Sequence, residues 1–277
     1  MGLQINTNEM ALAAQRNLDQ TGRRLHHVID QLASGSRIVQ AADDPAGLSI
    51  SDSLNAQIRS LAQAARNAQD GISLIQVYEG GTNEINNMVM RIRELCMQSA
   101  SDTVGERERA MINNECQQLK QEINRVARTT KYAGRELLSG EAIKMDFQVG
   151  INNDPEVDRI SFNPGDTNLT LNALDLSDID VSQKENSQAA LERLDAALTK
   201  VNEVRSRVGS AQNRLQTTVS ATSIFQENLL AAKSRIRDVD VAKASSDYAR
   251  ENILRKAGVA VLAQANETPA LALQLLR

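Results

Sequence analysis

The residues able to do chemistry are few and poorly spaced for it. His26 and His27 are the only histidines, adjacent in sequence, with no cysteine or further histidine at ligand spacing. A structural metal site needs about four ligands, so the pair reads as polar helix surface and no metal is expected. Cys96 and Cys116 form no CxxC pair, and two cysteines cannot make a disulfide framework. They could act as a covalent staple or a redox switch. Buried cysteine also behaves as a small hydrophobe, and Cys116 falls on an apolar helical seam, which favours two buried free thiols. No phosphate-binding GxxxxGK[ST] loop, GxGxxG turn or GxSxG nucleophile elbow occurs. Neighbours such as Arg93–Glu94 and Glu106–Arg109 are ordinary helix-surface charge, so no catalytic residue and no cofactor is expected. Asn168-Leu169-Thr170 matches an N-glycosylation sequon, a short motif that polar loops often contain by chance.

Composition narrows what could position such residues. The 277-residue chain has 14 Gly, 4 Pro, three Tyr, three Phe and no Trp. That argues against sandwiches, barrels and turn-rich α/β enzymes. At 41% apolar and 24% charged it is too apolar for a disordered chain. The net charge of −4 lacks the electrostatic footprint of a nucleic-acid binder. The longest apolar run, Ala257 to Ala263, is far short of the roughly 20 residues a bilayer span needs. The start, Met-Gly-Leu-Gln-Ile-Asn-Thr-Asn, has neither a basic n-region nor an apolar h-region, so no cleaved secretory signal is expected.

Proline resists a helix interior by about 3 kcal/mol or more. Pro45, Pro155, Pro164 and Pro269 leave 46–154 and 165–268 free of it, which permits long helices. Residues 7–32 predict an amphipathic helix with Leu18, Leu25, Val28 and Leu32 on one stripe. Asp43-Asp44-Pro45 predicts a helix start, with Asp as cap and Pro in the first turn. Leu54, Ile58, Leu61, Ala65, Ala68, Ile72 and Ile75 then follow heptad spacing, the pattern of helix-on-helix packing. Gly80-Gly81 weakens it, and it resumes at Ile85, Met88, Ile92, Leu95 and Ser99. A loop near 101–105 precedes a second seam of Ile112, Cys116, Leu119, Ile123 and Val126.

Gly134 and Gly140 end the helical character. Ile143, Met145, Phe147 and Val149 alternate with polar residues, Asn152 to Pro155 supplies a turn, and 157–162 returns as a second strand. Residues 163–185 read as loop or very short structure. A third seam runs through Leu194, Ala197, Val201, Val204, Val208, Ala211 and Leu215, with helix continuing to about Arg237. The segment 238–277 is helical again, with Leu254, Ala257, Val261 and Ala265 on one stripe and a leucine-rich end from Leu271 to Leu276. The expected fold is mainly α: long antiparallel helices packed as a coiled-coil-like rod, with one small β-hairpin near 143–162. Terminal helices 1–44 and 235–277 form one part, and 45–234 the other.

Several blocks together resemble bacterial flagellin. They are Ile5-Asn6-Thr7-Asn8 with Ala14 to Leu18, Leu32 to Ile38, Ala42 to Leu48, Arg66 to Leu74, and Arg91-Ile92-Arg93-Glu94-Leu95. In the second half, Gln212 to Leu215, Glu227 to Leu229, Ser234 to Asp238 and Leu262 to Asn266 follow in the family's order. The resemblance covers about 1–140 and 185–277. Departures are a middle without large outer domains, Pro45 where alanine is common, and the two cysteines. Asp-Asp-Pro also resembles the hook–filament junction proteins, leaving a junction adaptor as the alternative.

The resemblance implies a non-catalytic filament subunit for motility, exported through the flagellar type III channel to an extracellular filament. Its expected partners are copies of itself and the flagellar export chaperone, cap and junction proteins. Nucleic acid and membrane are not among them. Polymerisation would fall to the terminal residues Leu18, Leu25, Val28, Leu32, Leu254, Val261, Leu262, Leu275 and Leu276. Arg91 and Leu95, with Glu115, match a surface that the flagellin-sensing Toll-like receptor of animals recognises and that filament packing also uses.

Overall fold

A computed structural model describes residues 8–140 and 144–274. In chain order these form α1 (Glu9–Ser34), α2 (Pro45–Ser99), α3 (Glu106–Thr129), β1 (Lys131–Tyr132) and β2 (Arg135–Glu136). Then come β3 (Met145–Gln148), β4 (Arg159–Phe162), a 3-10 turn at Pro164–Asp166, α4 (Lys184–Arg237) and α5 (Val241–Gln274). The fold is mainly α, as expected. Two compact units share it: Met1–Ala56 with Asn228–Arg277, and Gln57–Glu227. Their boundaries fall inside α2 and α4 rather than at helix ends. The reason is local: Lys233 Nζ donates to Asn55 Oδ1 at 3.1 Å and Arg237 pairs with Asp52 at 3.2 Å, so the start of α2 goes with the end of α4.

In the terminal unit, α1 is capped by Asn8, whose Oδ1 accepts from Ala11 N at 3.0 Å, and ends on Gly35 at φ 68°. A left-handed residue after a helix is where glycine carries no Cβ penalty. The connector 35–44 then pairs with the α4–α5 junction: Arg37 N donates to Arg237 O at 2.6 Å and Val239 N to Gly35 O at 3.1 Å. Asp44 caps α2 by accepting from Gly47 N at 2.9 Å, as the Asp-Asp-Pro sequence predicts. Helices α1 and α5 are antiparallel, since Asn8 bonds the Ala265 carbonyl at 2.7 Å and Arg24 meets Glu251 at 3.5 Å.

In the other unit the three seams become the core. Ile58, Leu61, Ala68, Ile72, Ile75, Ile85, Ile92 and Leu95 of α2 are buried, with Ile112, Cys116 and Ile123 of α3. From α4 come Leu194, Ala197, Val201, Val204, Val208 and Leu215. Helices α3 and α4 both run antiparallel to α2. Arg109 of α3 donates to Ser99 O at the end of α2 while Arg91 bonds Glu115, and Lys184 at the start of α4 meets Asp102 just past α2 while Arg93 bonds Asp195. Strands β3 and β4 pair antiparallel, Met145 opposite Phe162 and Gln148 opposite Arg159, which is the expected hairpin. Ile143 lies outside the described residues. A shorter ladder, β1 with β2, turns on Ala133 and Gly134, both at positive φ.

Residues 163–183 are irregular, as expected, yet they carry much of the core. Leu169, Leu174, Leu176, Ile179 and Val181 are all buried. Side chains of the helices hold this strap's backbone. Lys120 Nζ, on a residue only 6% exposed, donates to the carbonyls of Ser177 and Ile179 at 2.7 and 2.9 Å. Ser99 Oγ donates to Val181 O at 2.6 Å, and Asn113 Oδ1 accepts from Val181 N at 3.2 Å. Buried backbone polar groups need such partners where no ladder supplies them.

Helix α2 runs unbroken through Gly80-Gly81. A Cβ on Gly80 would meet nothing within 4 Å, whereas one on Gly81 would lie 2.6 Å from Thr130 Oγ1 and 2.8 Å from Leu138 Cδ1. Gly81 therefore serves close packing and Gly80 does not. Gly80→Ala should raise stability by about 0.5–1 kcal/mol through helix propensity. Gly81→Ala should lower it by about 1–3 kcal/mol through overpacking. Thermal melting of the two variants checks this, and a rise for both would refute the close-packing account.

Candidate functional site

Two surfaces and one buried pair contain the residues singled out from the sequence. The first surface is the α1–α5 pair. The contact face of α1 carries Leu25, which is buried, and Leu18, Val28 and Leu32, which are half-buried. The face of α5 that meets it is built from small groups. Ala244 and Ala265 are buried, and a Cβ on Gly258 would sit 3.2 Å from Leu18 Cδ1. Leu262 is half-buried. Leu254 and Val261 face outward at 45% and 57% exposure, joined there by Ile253 at 67% and Val259 at 54%. Leu275 and Leu276 lie outside the described residues. Ile253 and Val259 escaped the stripe reading because they fall off it. Their signal was that α5 is apolar around more of its circumference than one contact face needs.

The second surface lies on α2 and α3. Arg91 Nε and Nη2 both donate to Glu115 Oε1, at 3.0 and 2.8 Å, and Nη1 donates to Glu94 Oε2 at 3.0 Å. The hydrogen bonds to Glu115 and Glu94 hold the guanidinium's pKa above its ordinary value. The whole cluster is solvent-exposed, so it fixes side-chain orientation more than it adds stability. Leu95 does not join it. At 1% exposure it is a core residue, and its assignment to the surface is corrected. Its place in the Ile85–Ser99 seam turns it inward, about 100° around the helix from Glu94.

Directly beneath are the thiols. Cys96 and Cys116 are free and fully buried, next in sequence to Leu95 and Glu115. Burial pushes Cys96 up to about 12, with Cys116 adding to it, and burial likewise pushes Cys116 up to about 11. A thiol kept neutral and covered is a poor nucleophile. Among the described residues no group of three His, Cys, Asp or Glu side chains is placed to hold a metal ion. No described helix is long and apolar enough to cross a membrane. The arrangement offers contact surfaces.

Residues 5–142 match the model of the bacterial flagellin N-terminal helical region, and 191–276 that of the bacterial flagellin C-terminal helical region. The chain belongs to the bacterial flagellin family. It is 42% identical over 280 residues to a flagellin of Halalkalibacterium halodurans, covering 99% of each chain. It is 38% identical over 286 residues to the flagellar filament 33 kDa core protein of Treponema phagedenis, again 99% of each. The crystal structure of Bacillus cereus flagellin superposes with a TM-score of 0.50 at 25% identity, over 57% of this chain and 88% of that one. The Halalkalibacterium and Treponema relatives are of the same length class as this chain.

The buried thiols make stability pH-dependent in a defined direction. The unfolded chain loses thiol protons from about pH 9, while the fold retains them up to about 11 and 12. The stability is thus fully present below pH 9 and is lost as pH rises through the folded values, by up to about 1.4 kcal/mol per pH unit and thiol. Urea midpoints compared between about pH 8 and about pH 11 should fall more steeply for this chain than for a Cys96→Ala/Cys116→Ala variant. Equal slopes would mean that the thiols are not shielded.

Proposed function

We propose that this chain is a structural subunit of the bacterial flagellar filament, without catalytic activity, that polymerises through its terminal helices. The carrying observation is the α1–α5 pair. Its inner face is closed by alanine, glycine and Leu25, while Ile253, Leu254, Val259 and Val261 stand outward along α5. Large apolar side chains left exposed around a helix beyond its own contact face mark a surface for another copy. A shallow groove beside them, lined by Leu18, Gly22, Val259 and Arg255, gives a neighbour's side chain a place to enter. Folding of the ends is then linked to assembly, since anything that binds only the ordered form stabilises it. Family membership supports the rest: export through the flagellar type III channel, an export chaperone, cap and junction proteins as partners, and an extracellular filament as the place of work.

Deleting 257–277 should abolish filament growth and leave Gln57–Glu227, a compact unit by itself, folded. The loss includes the outward Val259 and Val261. At roughly 25 cal/mol per Å² of apolar area, two such side chains exceed the 1.4 kcal/mol that shifts an association constant tenfold. Circular dichroism and melting of the truncated chain, beside seeded elongation followed by electron microscopy, make the test. Normal filaments would reject the terminal mechanism. A hook–filament junction adaptor would instead cap seeds in the full-length form.

The exposed Arg91–Glu115 pair supports recognition of the free monomer by the animal flagellin-sensing Toll-like receptor. A guanidinium presented by two fixed carboxylates is a ready interface anchor. Arg91→Ala should weaken receptor signalling by the monomer about tenfold or more, and Arg107→Ala, on exposed α3 surface, should leave it nearly unchanged. Equal effects would remove Arg91 from the site.

A further inference from the structure

Near the end of α1, Gln31 Nε2 lies 2.7 Å from the carbonyl oxygen of Arg37 and 3.1 Å from His27 Nε2. A carbonyl only accepts, so the Gln31 atom facing it must be the amide nitrogen. Exchanging its oxygen and nitrogen would set two acceptor oxygens at 2.7 Å. One amide hydrogen then goes to Arg37 and the other to His27, whose Nε2 must present a lone pair. That arrangement requires a His27 ring with its hydrogen on Nδ1, the atom 3.8 Å from Asp43 Oδ1.

The carboxylate beside that ring is held firmly. Asp43 Oδ2 accepts from Val39 N and Gln40 N, both at 2.9 Å. The bond from Gln40 leads in keeping its pKa below the ordinary carboxylate value. On α1 itself Arg23 lies four residues before His27 and Asp30 three residues after it, and several charges of the neighbouring elements have partners of their own. Arg37 meets Asp44 at 3.9 Å and donates to Ile236 O, Arg24 meets Glu251 of α5, Asp247 of α5 meets Arg250, and Arg237 of α4 meets Asp52 of α2. Among the described residues Asp43 is the carboxylate within 4 Å of a His27 ring nitrogen.

We propose that His27, Gln31 and the Arg37 carbonyl form a proton-sensitive latch between α1 and the 35–44 connector. With His27 neutral, Gln31 bridges ring and carbonyl and ties the last turns of α1 to the connector. A proton taken up at Nε2 turns that atom into a donor facing a donor. Gln31 must then rotate to offer its oxygen to His27, and the same rotation removes its hydrogen from Arg37 O. Asp43 compensates the imidazolium, so uptake is accommodated while the tie is lost. The latch is closed while His27 is neutral and opens when the ring takes up a proton. Arg37 is also the residue whose backbone pairs with Arg237, so the opening acts on the connector where it meets the α4–α5 junction.

The test uses the full-length chain labelled with ¹⁵N-histidine, as filaments, or as monomer if no filaments form. Failure to polymerise bears on the proposed function and not on the latch. At about pH 8, ¹⁵N spectra should show one imidazole in the Nδ1–H tautomer, the form that free imidazole disfavours. As that ring protonates, amide exchange over residues 35–40, corrected for intrinsic pH effects, should quicken roughly fivefold to tenfold, the loss of about one hydrogen bond. Gln31→Ala should return the ring to the Nε2–H tautomer, and both it and His27→Asn should abolish the pH dependence of exchange at 35–40. The proposal is overturned by an unmodified chain whose rings are all Nε2–H when neutral, a measurement that needs no variant. It is equally overturned by exchange at 35–40 that ignores the titration.

Discussion

A helix with an apolar residue at every third or fourth position has one face it cannot leave in water, and α2 carries such a face over most of its length. From Ala68 to Leu95 that face is covered inside the chain, in one core with residues of α3 and α4. The other elements of this unit are arranged to complete the cover. Tyr78, at the middle of the seam, is fully buried and stacks edge-on against Phe162 of β4, with ring centroids 5.4 Å apart. Its hydroxyl bonds Thr167 of the strap, and burial pushes its pKa up to about 12. Hairpin and strap thus meet at the one aromatic residue the seam possesses. Side chains of α2 and α3 in turn satisfy the strap's backbone, so an irregular segment can lie in the core without orphaned carbonyls.

Periodicity made most of this visible beforehand. Every long helix was legible because a 3-4 spacing of Ile, Leu, Val and Ala allows few other structures over so many residues. The Met145–Phe162 hairpin was legible from alternation and a turn sequence. Three things were not. The Lys131–Glu136 ladder has two residues per strand, too few for any period. The strap's Leu169, Leu174, Leu176, Ile179 and Val181 have neither spacing, because what buries them is the groove they cross rather than an element of their own. Gly80-Gly81 looked like a weak point, and only the nearness of Thr130 and Leu138 shows that Gly81 is there for packing.

Leu95 shows how two sources of inference can conflict. Resemblance placed it on a recognition surface beside Arg91, while the heptad seam placed it inward with Ile92. Packing decided for the seam, since Arg91 and Leu95 are four residues apart yet about 40° off the same line, and here the core begins between them. The site that remains is an ion-paired guanidinium on the surface, over a layer of leucine and thiol. Those thiols need no role in chemistry to be retained, because at this depth a sulfhydryl packs as a small apolar group.

The terminal pair lacks what the other unit has in quantity. Of the large apolar residues on the described part of α1, Leu25 alone is buried, and α5 meets it with alanines and Gly258. An interface of small groups brings two backbones close but removes little apolar area from water. Each fully buried Leu, Ile or Val is worth about 1.5–3 kcal/mol. Ordering a residue costs about 1–2 kcal/mol of backbone entropy. A pair of helices with so few such residues cannot offset its own ordering by internal contacts alone. Its larger side chains, Ile253, Leu254, Val259 and Val261, are spent on the outside. The same division explains why the ends need polar fastenings such as Asn8 to Ala265, Arg24 to Glu251 and Gln31 to Arg37. These fix register at little gain in stability, which leaves the free energy of ordering to come from contacts with neighbouring copies.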